Sequence, residues 1–445
     1  MLTRRNFLGY SVAGIITTVS GCRPSGIDQL SHQKNTNQLL TNKEHLLSQK
    51  QFLLGYPINM NTPSEDFFQW RSQLNKVGIG NISYNNVGNP YAASSVEFNT
   101  HDLERDLIQK FGKNYNFPAG NTWGFLSHSG TDSNMHGMYM GRTILKSRTG
   151  EKPICYFTKE AHYSIQILSD LLGMERIFVA TMPDASMDPE DLKQKISQHP
   201  NHPPLVVATI GTTFKGAIDN VDEIQKVLNQ PASEAGKHES YLHLDAALFG
   251  GYLPQTNGAE LVSFKSRDKT PVRRYDSIAI SCHKFFGFPY PAGLFLTTRD
   301  HFNAFNEQYS TIHNPEYIGH VPGTITCSRD AVKPAEFHYF STPQALAKQA
   351  KDADKILRNT SYLLDQLQTH FADLIPSRSS ELSNTIYFRK PGGHIVKKYS
   401  LATMQLNLNG IHQDFAHAVI MPHASKNVLS EFLNDLEKDS TFKLG

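Results

Sequence analysis

Asp276-Ser277-Ile278-Ala279-Ile280-Ser281-Cys282-His283-Lys284-Phe285 is the stretch on which the reading of this chain turns. Apolar residues alternate with small ones up to Ser281, the pattern of a β-strand, and the run ends in a small residue, a histidine and a lysine. A lysine just past a strand end, with Ser281 and His283 beside it, suits a Schiff base to an aldehyde whose phosphate takes hydroxyl and imidazole donors. Lysines are common, and on this stretch alone an ordinary strand-end lysine is the commoner case. The surrounding chain has to decide.

The 445 residues suffice for one large domain with a smaller satellite, or for two domains. Hydrophobic residues make up 39% and aromatics 10%, which supports a packed core. A net charge of +2 gives no electrostatic case for nucleic acid, and no nucleic-acid motif is present. Cys22, Cys155, Cys282 and Cys327 show neither CxxC nor zinc-ligand spacing, so no metal is expected and buried free thiols are.

Residues 1–22 read as an address. Arg4-Arg5 followed by Phe7-Leu8 and a short apolar run resembles a twin-arginine export signal, and Val19-Ser20-Gly21-Cys22 resembles a bacterial lipoprotein box. Export as a folded protein, with a lipid on Cys22 as the membrane attachment in the periplasm or cell envelope, is the expectation. An ordinary cleavage site with an incidental cysteine is the alternative. Residues 23–50 are polar, either a tether or a helix, and the ordered body is expected from about Phe52.

Within the body, Ser127-His128-Ser129-Gly130-Thr131-Asp132-Ser133-Asn134 is a small-residue turn between a strand and a helix. There the backbone N–H groups and helix dipole favour an anion, although a plain connection reads the same way. His162 stands at the exit of strand Ile154–Phe157, placed to stack on a planar ring or simply to be structural. Leu205 to Ile210 is a continuous apolar run, the mark of a central parallel strand, ending in Gly211-Thr212-Thr213. Asp245 closes another strand, where a buried carboxylate can hold a pyridinium N–H. Residues 301–324 read as loop, and the last third as a smaller α+β region. The repeated strand–turn–helix pattern, polar at strand exits, is an α/β sheet carrying ligands at its carboxyl edge.

In this order the motifs resemble the pyridoxal-phosphate-dependent group II amino-acid decarboxylases, most closely the bacterial histidine decarboxylases. The resemblance runs from Gly55-Tyr56-Pro57 and Asn85-Asn86-Val87-Gly88, through Gly130-Thr131 with Asn134, His162-Tyr163-Ser164 and Gly211-Thr212-Thr213. It continues through Asp245-Ala246-Ala247 and Ser281-Cys282-His283-Lys284 to Ser328-Arg329 and Met421-Pro422-His423. The chain departs from the pattern at Cys282 and Ser133, where glycine is usual. It departs again at Asp132, Asn89, Cys327 and Asp330.

The resemblance implies fold type I, the aspartate aminotransferase-like α/β fold, with a large, mostly parallel sheet domain at 121–325. A segment 51–120 would precede it and a small C-terminal α+β domain at 326–445 would follow. It also implies pyridoxal 5′-phosphate as cofactor, an amino-acid substrate, a homodimer with shared active sites, and decarboxylation of histidine or else of an aromatic amino acid. By position, Lys284 would carry the Schiff base, Asp245 the pyridine nitrogen and His162 the stacked ring. Ser129, Gly130, Thr131, Ser281 and His283 would take the phosphate, Thr213 the phenolic oxygen, and Ala247 would be a further cofactor-binding residue. Tyr317, with His320 behind it, is the candidate proton donor. The same residues would also serve transamination or aldol cleavage, and a lipoprotein that kept the fold without catalysis is the third alternative.

Overall fold

The computed structural model describes residues 26–229, 239–265, 274–408 and 411–439. The arginine pair and Cys22, on which the export expectation rests, lie outside them. Two units divide the chain, Met1–Lys50 and Gln51–Gly445. In the first, the stretch read as either a tether or a helix forms helix α1 (Gly26–Gln49). Among the described residues no helix is long and apolar enough to cross a membrane.

The second unit opens with α2 (Glu65–Lys76), β1 (Asn85–Val87) and α3 (His101–Asn114). Strands and helices then alternate: β2 (Thr122–Ser127), α4 (Gly130–Thr149), β3 (Ile154–Thr158), α5 (Tyr163–Leu171), β4 (Arg176–Val179) and α6 (Pro189–Ser197). Next come β5 (Pro204–Thr209), α7 (Val221–Leu228), β6 (Tyr241–Asp245), β7 (Ser277–Ser281), β8 (Gly293–Thr298) and α8 (Arg299–Ser310). After β9 (Ser328–Asp330), α9 (Val332–Phe337) and α10 (Pro343–His370) lie β10 (Thr385–Arg389), α11 (Gly393–Lys398), β11 (Ala402–Leu408), β12 (Ile411–Val419) and α12 (Lys426–Lys438).

Seven strands form the main sheet in the order β2-β8-β7-β6-β5-β3-β4. The pairs from β7 to β4 are parallel, and β8 runs antiparallel to both β2 and β7. The uninterrupted apolar run of β5 follows from cover on both faces. Leu205 and Val207 pack with Met138 and Ile144 of α4, while Val206 and Ala208 face the side of Leu107, Phe111 and Ile224. Each of these strand residues is fully buried, which contributes about 1.5–3 kcal/mol for a valine- or leucine-sized side chain.

Helix α4 lies close against the sheet because small residues line its inner face. A Cβ on Gly137 would come within 2.5 Å of the His243 ring, and one on Gly141 within 2.6 Å of Tyr241. Beyond the main sheet, β10-β12-β11 make a three-stranded antiparallel sheet with its own core, and β1 pairs with β9. The boundaries expected after residues 120 and 325 fall inside this second unit.

Several local expectations are corrected. The small-residue turn is shorter than its composition predicts: α4 begins at Gly130, because the Ser129 side chain caps it by accepting from Asp132 N–H at 3.2 Å. The stretch read as loop from residue 301 contains most of α8, whose Phe302, Phe305 and Tyr309 are buried at helical spacing. Strand β11 supplies an edge of the small sheet that the sequence reading passed over. Cys155 and Cys282 are buried free thiols, as expected, but Cys327 is exposed.

Candidate active site

The carboxyl ends of β5, β6 and β7 meet the N-terminus of α4 around a cavity of about 450 Å³. Adjacent strands fix its floor. Thr209 is paired across β5 and β6 with Asp245, and Asp245 with Ala279 two residues before Ser281. Lys284 follows the end of β7 and lines the same cavity. Burial lowers its pKa, while the nearby Asp245 charge pulls the other way. The amine is therefore more readily neutral, and more nucleophilic, than a surface lysine.

Asp245 is 3% exposed. Its carboxylate accepts one hydrogen bond among the described residues, from Ala247 N–H at 3.2 Å. So sparse a shell around a buried carboxylate leaves room for a cationic N–H arriving from the cavity.

At the other end, the first turn of α4 presents free backbone N–H groups at Gly130 and Thr131. The missing side chain at Gly130 is required by the geometry, since a Cβ there would sit 2.5 Å from Ser281 Oγ. Ser129, Thr131, Ser281 and His283 surround the same cup.

His162 is the N-cap of α5 and its Nδ1 accepts from Ser164 N–H at 3.3 Å, with Ser164 Oγ at 2.8 Å. This places the ring proton on Nε2. Burial lowers the pKa of His162, opposed by Asp245 and assisted by Lys284, so the ring is held neutral. Thr213, at the rim, and Ala247 also line the cavity.

Every cofactor residue expected from the sequence is thus brought to one cavity. Tyr317 is not. It is 85% exposed in a short 3-10 turn and lies outside the lining of the cavity, and neither ring nitrogen of His320 finds a partner among the described residues.

The sequence reading missed His417. This residue of β12 lines the cavity with Gly55, Phe214 and Ala402. Its Nδ1 lies 2.8 Å from the Phe214 carbonyl and its Nε2 3.0 Å from the Gly55 carbonyl, and its ring stacks on Phe214. Its partners are 203 and 362 residues away in the chain, so nothing local signals the role. Gly55 itself fits only as glycine, because a Cβ would strike the Ser400 carbonyl.

These residues fit a phosphorylated pyridine aldehyde. The cup at Gly130 takes an anion, the buried Asp245 a protonated ring nitrogen, and Lys284 an aldehyde carbon between them.

The comparisons agree. The family described as the pyridoxal-dependent decarboxylase conserved domain matches residues 102–332. Histidine decarboxylase of Pseudomonas fluorescens is 30% identical over 383 residues, which cover 85% of this chain and 84% of that protein. Serine decarboxylase 1 of Oryza sativa subsp. japonica is 29% identical over 402 residues, covering 90% and 75% respectively. A crystal structure of L-methionine decarboxylase from Streptomyces sp.590 superposes with a TM-score of 0.74 at 20% identity, covering 94% of this chain and 97% of that one. The fold is accordingly fold type I. Matched over half its length by the family, with its lysine, aspartate and anion cup in one cavity, the chain belongs to the pyridoxal-dependent decarboxylases and is a pyridoxal-phosphate-dependent carboxy-lyase.

Proposed function

We propose that the protein decarboxylates an L-amino acid, histidine in preference, to histamine and carbon dioxide. The observation that carries the decarboxylase reading is the convergence of Lys284, Asp245 and His162 on one cavity. The preference for histidine is supported by the Pseudomonas fluorescens relative.

When bound, pyridoxal phosphate supplies an aldehyde for the substrate amine and a protonated ring that accepts the electron pair left behind by carbon dioxide. The chain does the rest. Asp245 holds a negative charge against the pyridine nitrogen and keeps its proton in place. His162 would lay its neutral ring against the bound cofactor and orient the carboxylate that leaves. Lys284, with its pKa lowered by burial, would hold the cofactor's aldehyde carbon as a neutral amine.

Tyr317 is exposed on its own subunit, and we assign it as proton donor to the neighbouring site of a homodimer. Sedimentation of the purified protein as a dimer, with a Tyr317→Phe variant that loses turnover but keeps cofactor affinity, is the expected result. A fully active monomer overturns it.

A specific observation favours a second reading, an aromatic or aliphatic substrate. Phe214, Leu248, Tyr56 and Pro57 make much of the lining apolar, and both nitrogens of His417 face backbone carbonyls rather than the cavity. Carbon dioxide release from a panel of histidine, serine, methionine and tryptophan separates the two. Lys284→Ala turning over at the wild-type rate would sink both. Imidazole-pyruvate in place of histamine would mean transamination.

The export proposal rests on Arg4-Arg5 and the Val19 to Cys22 box. Replacing both arginines by lysine should hold the protein in the cytoplasm, and Cys22→Ala should release it from the membrane fraction.

A further inference from the structure

Between Gly130 and Gly137 on the sheet-facing side of α4 stands Asn134, 2% exposed and part of the cavity lining. Its Oδ1 lies 2.9 Å from Nε2 of His243, and His243 Nδ1 lies 2.7 Å from Ser277 Oγ. Ser277 Oγ in turn accepts from the Tyr241 hydroxyl at 2.9 Å. His243, Ser277 and Tyr241 are at most 1% exposed.

The donors run in one direction. Tyr241 donates to Ser277, which leaves the Ser277 hydroxyl hydrogen for His243 Nδ1. A neutral imidazole then carries its single proton on Nε2 and donates it to Asn134 Oδ1. Burial keeps the ring neutral, with its pKa lowered to about 4. The carbonyl end of the Asn134 amide is thereby turned inward, and its N–H₂ end is left facing the cavity with no partner among the described residues.

The same stretch of floor holds a second waiting donor. Thr209, 3% exposed and paired in register with Asp245, lines the cavity, and its hydroxyl has no partner among the described residues. Residues 205, 207 and 209 of β5 and 241, 243 and 245 of β6 share the sheet face covered by α4, by the period of two.

We propose that Asn134 is a cofactor-site residue, its amide N–H₂ donating at the Asp245 end of the bound pyridoxal phosphate, and that His243 is the positioning residue that holds the amide in that orientation. A donor there favours Asp245 as an anion, and an anionic Asp245 keeps the pyridine nitrogen protonated. The inference rests on the pyridoxal-phosphate assignment and is independent of which amino acid is decarboxylated.

The test is uptake of pyridoxal phosphate by the cofactor-stripped full-length protein, read as visible absorbance of the bound form, alongside the thermal midpoint of each stripped protein. Asn134→Ala should weaken uptake about tenfold at an unchanged midpoint, and Asn134→Asp should weaken it further by placing a second carboxylate beside Asp245. His243→Ala should match Asn134→Ala, and His243→Gln, which restores a side-chain N–H, should recover to within about threefold of wild type. Wild-type uptake by Asn134→Ala overturns the inference. So does a His243→Gln protein that binds as weakly as His243→Ala, because it would reduce His243 to a packing role. If His243→Ala does not fold, Asn134→Ala and His243→Gln decide. Failure of the wild type itself to take up pyridoxal phosphate would remove the cofactor reading as well, a distinct result.

Discussion

Single side chains set the sharpest limits on this site. Alanine at Gly130 would push its methyl onto Ser281 Oγ, so Gly130→Ala should lower cofactor affinity at least tenfold while the far-ultraviolet spectrum stays native; reconstitution of the stripped protein measures it. Buried histidines give the fold a pH dependence of definite sign. His136 is fully buried against Trp123, Phe125 and Phe295 with no partner for either ring nitrogen among the described residues, and its pKa is lowered to about 3. That of His243 is lowered to about 4. Both ordinarily titrate at 6.5, so below that pH the unfolded chain binds protons that the folded one refuses. Their stabilisation is fully present above pH 6.5 and is lost as the pH falls toward 4, at about 1.4 kcal/mol per pH unit for each ring. Urea midpoints between pH 7 and pH 5 should show this slope, and His136→Phe should flatten it by about one proton. The residues carrying these effects differ in how readable they were. Lys284, Asp245 and Gly130 stand at strand and helix ends, where residue type and local order already point to chemistry. Asn134 is marked by the local motif, but the orientation of its amide, like the placement of His417, comes from partners on other elements.

At the level of elements, a buried ion pair ties β1 and α3 to β9. The two-strand ladder of β1 and β9 sets Asn86 opposite Arg329, and Arg329 meets Glu104 of α3 in an ion pair 1% and 0% exposed, Nη1 to Oε1 at 2.5 Å. Glu104 also accepts from Leu126 N–H and from the Asn86 amide, and Arg329 donates to the Gly88 carbonyl. Charges this buried hold only as a set. Arg329→Met, which strands Glu104, should cost about 3–5 kcal/mol in chemical denaturation, and pairing it with Glu104→Met should recover most of that loss. Strand and helix existence was largely legible because an unbroken apolar run marks β5 and period 3.6 survives in α3 and α10. The omissions have physical causes of two kinds. In β11 and α8 the period was present, Met404-Leu406-Leu408 and Phe302-Phe305-Tyr309, but polar neighbours diluted it. The start of α4 was misjudged because capping by Ser129 is a matter of geometry, and the composition Ser-Gly-Thr-Asp-Ser-Asn reads as turn.

At the scale of the whole molecule, the cavity is assembled from Gly55 near one end of the body, the main sheet in the middle, and Ala402 and His417 near the other. His423 adds a second tie, accepting from Met60 N–H at 3.2 Å and bonding the Leu53 carbonyl at 2.9 Å. His417→Phe, which removes both carbonyl contacts, should therefore raise KM more than it lowers kcat, measured with the preferred substrate of the panel. Fold class was legible at this scale because the order of strand exits in sequence is also their order along β3, β5, β6 and β7 in the sheet. The closure of the cavity by the last strand was not. That closure bears on how the protein is made. Residue 417 leaves the ribosome after Lys284, so in the interval between them the nascent chain carries that lysine without the strand that supplies this wall of the cavity. Cofactor capture in its final form must then wait for the completed polypeptide, and any stalled or truncated product would carry the reactive amine without the enclosure that disciplines it.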